Sequence, residues 1–142
     1  MKVCILGIGM MGWPMARRLC AAGFEVHAWN RSPDKAERLR PHGAHIHTEL
    51  TDAVREADIV ICLLENGSAV GDVLFAQGAA AAMQPGALVV DMSSIKPAEA
   101  RDHASRLAAL GVAHLDAPVS GGTVGAEAGT LAVMCGGEAT EF

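Results

Sequence analysis

The sequence predicts an α/β fold, a doubly wound and mostly parallel sheet with helices on both faces. Three observations carry this. Short β-branched apolar runs alternate with longer helix-like segments along the chain. Several runs are continuously apolar rather than alternating, as parallel strands covered on both faces are. A glycine-rich turn joins the first run to the first helix. The alphabet agrees, with 16 Gly, 3 Phe, 2 Trp and no Tyr in 142 residues. Small side chains let layers approach closely, and glycine lets a turn lie against a ligand.

Strands are expected at 2–8, 24–29, 44–46, 58–64, 87–92, 112–116 and 131–135. Helices are expected near 12–22, 33–40, 49–57, 68–83 and 97–110. Gly23 and Gly111 follow helical segments as C-terminal stops. Pro33, after Ser32, and Pro97 stand where a first helical turn tolerates proline. Strand–helix–strand alternation implies right-handed crossovers, and such a sheet binds ligands beyond the carboxyl ends of its strands.

Length suits one domain, residues 1–142, which buries roughly 70% of its extended-chain surface. A 51% hydrophobic share excludes a disordered chain. No apolar run reaches the ~18 residues of a membrane-spanning helix, and the start carries no signal peptide, so a soluble cytoplasmic protein is expected. A net charge of −5 with scattered arginines argues against nucleic acid. Cys4, Cys20, Cys62 and Cys135 lie far apart without a C-x-x-C, so buried thiols are expected in the apolar runs. His45 and His47 alternate, but no acid or cysteine joins them at ligand spacing; His27, His42, His103 and His114 are scattered. Surface or edge positions are expected for the histidines, and no metal site.

Gly7-Ile8-Gly9-Met10-Met11-Gly12 follows the first strand and opens a helix, with a second strand at 24–29. That context turns a weak G-x-G-x-x-G into a dinucleotide cradle. Gly7 makes the tight turn, Gly9 admits a pyrophosphate to the backbone, and Gly12 lets the helix press on the strand. Pro14 belongs in the first turn, which puts free N–H groups and the positive helix end near residues 10–13. An S-adenosylmethionine enzyme could use the same loop, but it generally wants an acid at the end of the second strand. Asn30, Arg31 and Ser32 stand there instead, offering a cation and polar donors to a 2′-phosphate, which points to NADP over NAD. Arg31 as a solvated side chain and Ser32 as a helix cap is the plainer alternative.

Leu63 and Leu64 end the fourth strand and Ser94 follows the fifth, where loops can meet the ribose and nicotinamide; Ser94 as a turn or cap to the helix at Pro97 is the plainer alternative. Lys96 is expected to be solvent-exposed. Ser120, Gly121 and Gly122, after the sixth strand, expose a hydroxyl and two unobstructed amides, either a grip on a carboxylate or a bare glycine-rich loop. Asp91 and Asp116 at strand ends are expected to shape turns.

Four stretches together resemble the β-hydroxyacid dehydrogenase family, which includes 3-hydroxyisobutyrate dehydrogenase, tartronate semialdehyde (2-hydroxy-3-oxopropionate) reductase and the cofactor domain of 6-phosphogluconate dehydrogenase. They are Gly7 to Ala16 (GIGMMGWPMA), Asn30-Arg31-Ser32, Asp116 to Gly122 (DAPVSGG), and Ala126 to Leu131 running on to Met134-Cys135-Gly136-Gly137. Glu65 departs from the family, where a proline commonly stands.

The resemblance implies a Rossmann-type cofactor domain and hydride transfer between NADP(H), or NAD(H), and a small 3-hydroxy acid or semialdehyde. It implies that Ser120, Gly121 and Gly122 bind the substrate carboxylate and that Ser94 lies near the nicotinamide. The family's general acid/base is a lysine on a later helix, and Lys2, Lys35 and Lys96 do not match it. No catalytic residue is therefore expected in this chain. It reads as an N-terminal piece, truncated before the last elements of the cofactor domain and before the family's C-terminal helical domain. That helical domain carries the dimer interface in the family, so the full-length protein is expected to be a homo-oligomer. An imine reductase, or a non-catalytic NADP-binding interaction module, is the alternative.

Overall fold

Six of the apolar runs become neighbours in one parallel sheet. A computed structural model describes all residues, Met1–Phe142. The strands are β1 (Lys2–Leu6), β2 (Glu25–Trp29), β3 (His45–Ile46), β4 (Ile59–Cys62), β5 (Leu88–Asp91) and β6 (Ala113–Asp116). They lie in the order β3-β2-β1-β4-β5-β6, all parallel, so the direction of winding reverses between β1 and β4. No helix is long and apolar enough to cross a membrane.

The continuous apolar strands explain the two layers. Val3 and Ile5 of β1 face one core, with Ala16 of helix α1 (Gly12–Ala21) and Ala36 of α2 (Pro33–Glu37). Cys4 and Leu6 face the other core. That side is covered by α3 (Leu50–Val54), α4 (Gly67–Gly71), α5 (Ala79–Ala82) and α6 (Pro97–Ala108). One residue of slip in β1 would exchange the two faces, which is what fixes its register.

Several expectations change. The helix expected over 68–83 is three pieces: α4, a π-helical turn over Asp72–Ala76, and α5 after Gly78, which is left-handed at φ +83°. Gly71, itself helical, permits a close crossing, because a Cβ on it would lie 3.2 Å from Nε2 of His103 on α6. The Gly-rich stretch after residue 120 contains a helix, α7 (Gly122–Ala128). The seventh run, 131–135, does not join the sheet. Only β8 (Ala132–Val133) forms, antiparallel to β7 (Val119–Ser120). Cys135 is consequently exposed, whereas Cys4 and Cys62 are buried thiols whose pKa burial pushes up.

His103 and His114 also depart from the surface positions expected for them. His103 is buried on the inner side of α6, close to Asp91, and His114 is buried on β6. Asp91 accepts the Ser93 N–H through Oδ1 at 3.0 Å. Its Oδ2, Oδ1 of Asp116, Nδ1 of His103 and Nε2 of His114 have no protein partner. Burial lowers the His114 pKa to about 4, and raises those of Asp91 and Asp116. His114 is thus neutral in the fold but protonates once unfolded below about pH 6.5. It therefore withdraws stability as pH falls from about 6.5 to 4, while the two raised carboxyls act with the opposite sign. Urea unfolding at pH 7 and pH 4.5 should show an acid loss of up to about 3 kcal/mol that shrinks in His114→Gln. An unchanged acid loss in that variant would remove His114 as its source.

Candidate functional site

The turn from β1 into α1 lies at the reversal of the sheet, where β1 and β4 run side by side. Gly7 sits there at φ +104°, and a Cβ on it would collide with the carbonyl of Leu63, just past β4. A Cβ on Gly12 would collide with the carbonyl of Gly7. These two glycines are required by the fold itself. Gly9 differs, since a Cβ there meets nothing within 4 Å. Its exposed backbone faces open space, as a group approached by a ligand must.

The backbone amides in this turn divide accordingly. Gly7 N–H donates to Trp29 C=O at 3.0 Å, and Ile8 N–H donates to Asn30 Oδ1 at 2.7 Å. The N–H groups of Gly9, Met10, Met11 and Gly12 have no backbone acceptor. Pro14, buried in the first turn of α1, adds no donor and holds the helical start. Four free N–H groups at the positive end of a ten-residue helix form an anion cradle. Met10 is exposed and Met11 half-buried beside it.

Asn30 closes the turn rather than reaching outward. Its Oδ1 accepts from Ile8 and its Nδ2 donates to the Ser32 carbonyl at 3.0 Å. Arg31 is exposed and forms no ion pair, so its guanidinium is free at the end of β2. Ser32 precedes α2 as its cap residue, but its side chain makes no capping bond, so the hydroxyl stays available.

A cleft of about 420 Å³ opens on the glycine turn, lined by Gly9, Met10, Trp13, Lys35, Arg38 and Thr123 among others. Arg38 and Arg17 stand over the Trp13 ring, 5.3 and 4.9 Å from its centre. Lys35 and Arg38 make the cleft cationic on the α2 side, and Glu127 of α7 faces them. Sequence reasoning considered Lys35 only as a candidate general acid/base and set it aside, gave Arg38 no role, and missed α7 altogether. The signal for α7 was present in the Ala126-Glu127-Ala128 run of helix formers. α7 is docked by the Arg18 guanidinium, which donates to Glu127 C=O at 3.1 Å.

The other strand ends meet at β4 and β5 through Ser93, not Ser94. Leu64 N–H donates to Ser93 Oγ at 3.0 Å, and that hydroxyl donates to Cys62 C=O at 3.4 Å. Leu63 and Leu64 are half-buried at the reversal. Ser94 is exposed in a separate cleft with Asn66, Ser68, Ile95 and Lys96. Ser120, Gly121 and Gly122 are exposed at the start of α7, with φ of +135° and +60° at the two glycines. The structure thus brings the glycine turn and α7 to one cleft, and leaves Ser94 in another.

Gly12→Ala should therefore lower thermal stability, whereas Gly9→Ala should unfold at the wild-type temperature. Calorimetric titration with a nicotinamide dinucleotide should nevertheless show Gly9→Ala weaker by roughly tenfold or more, about 1.4 kcal/mol. Asn30→Ala strips two bonds from the turn and should cost about 1–3 kcal/mol in denaturant unfolding. Wild-type affinity in Gly9→Ala would disconnect the cradle from the diphosphate.

Comparisons with known proteins agree with this geometry. Residues 2–142 match the family model described as the NAD binding domain of 6-phosphogluconate dehydrogenase. The chain is 41% identical to 2-hydroxy-3-oxopropionate reductase of Escherichia coli, covering 100% of this chain and 49% of that protein. A 3-hydroxyisobutyrate dehydrogenase from Mycobacterium tuberculosis, solved with L-serine, superposes with a TM-score of 0.94 at 37% identity. That match covers 99% of this chain and 47% of the other. A structure of Psf3 with NADP+ and 2-OPP superposes at 0.90 with 34% identity, covering 97% and 49%. The chain spans about half the length of the relatives it matches. It belongs to the family described as the NAD binding domain of 6-phosphogluconate dehydrogenase.

Proposed function

We propose that residues 1–142 are the cofactor-binding part of an enzyme that transfers hydride between NADP(H) and a small 3-hydroxy acid or its semialdehyde. The carrying observation is the group of four unpaired amides from Gly9 to Gly12 at the start of α1. They suit a diphosphate, and the open face of Gly9 leaves room for it. Arg31 and the free Ser32 hydroxyl would hold a 2′-phosphate, with Lys35 and Arg38 adding positive charge along the neighbouring cleft. Asn30 would act through the backbone, keeping the two cofactor turns in register. Met10 and Met11 would cover the diphosphate, and Leu63, Leu64 and Ser94 would lie toward the nicotinamide.

When bound, the nicotinamide supplies or accepts the hydride. Ser120, Gly121 and Gly122 would orient the substrate by its carboxylate, through one hydroxyl and two exposed amides. No lysine here is set to move the substrate's hydroxyl proton. Lys2 begins β1 at the opposite end of the strand, Lys35 lies on α2, and Lys96 precedes α6 at an exposed position. Proton transfer would then fall to a group outside these residues.

NADP is favoured over NAD by the absence of a carboxylate at the end of β2 and by the free Arg31 guanidinium. The complex of Psf3 with NADP+ supports the same choice. A relative named NAD-dependent L-serine dehydrogenase, 40% identical over 97% of this chain, shows why the cofactor must be measured.

Titration with NADPH and NADH should give tighter NADPH binding, and Arg31→Ala should lose about 1.5–3 kcal/mol of that preference, ten- to a hundredfold. An unchanged ratio would withdraw Arg31 as the selector. The purified 142-residue chain, mixed with NADPH and tartronate semialdehyde, should bind cofactor without consuming it. Steady oxidation of NADPH there would overturn the assignment of proton transfer to a group outside the chain.

A further inference from the structure

We propose that Glu25, His27 and His45 bind one divalent transition-metal ion of the zinc class, with His47 orienting His27. The site is assembled across strands. His27 of β2 pairs in register with His45 of β3, and their rings stack 4.9 Å apart. Glu25 lies two residues before His27 on the same face of β2. One ligand atom from each of the three lies within 4.8 Å of the other two. Glu25 and His45 are exposed at the sheet edge, so modest side-chain rotation can bring them to zinc-ligand distances of roughly 2.0–2.2 Å.

The donor chemistry selects the ion. Two imidazoles and one carboxylate suit zinc, nickel or copper, whereas calcium and magnesium prefer oxygen ligands throughout. His27 now shares Nε2 with Glu25 Oε1 at 3.0 Å and Nδ1 with His47 Nε2 at 2.8 Å. When an ion takes Nε2 of His27, the neutral ring carries its single proton on Nδ1 instead, the proton having exchanged from Nε2 through solvent. Nδ1–H then donates to His47, the outer acceptor that a metal-bound histidine normally has. The adjoining cleft of about 200 Å³ is lined by Asp52 and Glu56 and also by Arg55, which pairs with Asp52 at 2.8 Å. The competing cation is Lys2, paired with Glu56 and 3.9 Å from Glu25.

Spacing along the chain could not reveal this set, because Glu25 and His27 stand some twenty residues from His45 and His47. A bound ion would clip the two-residue edge strand β3 to β2, whose carboxyl end carries the Asn30–Ser32 turn.

The test is calorimetric titration of the untagged chain with zinc chloride, with circular dichroism to confirm folding. One ion per chain and a raised unfolding temperature are expected. His45→Gln and Glu25→Gln, both at exposed positions, should each weaken binding at least tenfold. His47→Leu should weaken it, and His47→Gln, which still accepts a hydrogen bond, should restore it. Copper EPR should show couplings from two nitrogens, falling to one in His45→Gln. Failure to bind zinc at micromolar concentrations, or binding indifferent to His45→Gln and Glu25→Gln, would overturn the site.

Discussion

Everything at this site follows from how closely β1, α1 and β4 meet. The Gly7 backbone lies under the Leu63 carbonyl, and Gly12 lies against the carbonyl of Gly7. No side chain can stand at either position without parting the helix from the sheet. That contact aims α1 so that its first amides leave the protein surface unpaired. The anion cradle is a by-product of tight packing, and only Gly9 is spared from it.

Two polar side chains hold the neighbouring strand ends to this arrangement. Asn30 joins the end of β2 to the glycine turn, and Ser93 joins the segment after β5 to the end of β4. Both bridge segments more than twenty residues apart. Their partners are backbone groups that would otherwise lack a bond at strand ends. The strand ends around the glycine turn are thereby held by the protein's own bonds, and preorganisation of this kind lowers the ordering cost of binding.

The strand–helix alternation and the Gly7–Gly12 turn were legible because both are local patterns, periodicity and spacing. The parallel, doubly wound arrangement followed from that alternation. What escaped was decided by distant contacts. Asn30 read as a donor to the cofactor, but its two amide atoms are consumed within the protein. Ser93 and Ser94 are adjacent and alike in sequence, and only the approach of β4 makes one structural and leaves the other exposed. α7 was masked by its glycines, since Gly122 and Gly125 weaken helix propensity and docking against α1 compensates. His103 and His114 read as surface residues because nothing local announces that α6 packs His103 inward and that His114 faces the interior of the sheet's last strand.

The β7–β8 hairpin is tethered to the sheet by one antiparallel bridge, in which Asp116 and Gly136 exchange bonds of 2.9 and 2.7 Å. Val133 and Met134 beyond it are largely solvent-exposed, so little apolar burial opposes its release. Fewer bonds and less apolar burial hold this segment than hold the central strands of the sheet. The loop carrying Ser120, Gly121 and Gly122 is therefore held only by this bridge and by the docking of α7 on α1, whereas the glycine turn is built into the central strands.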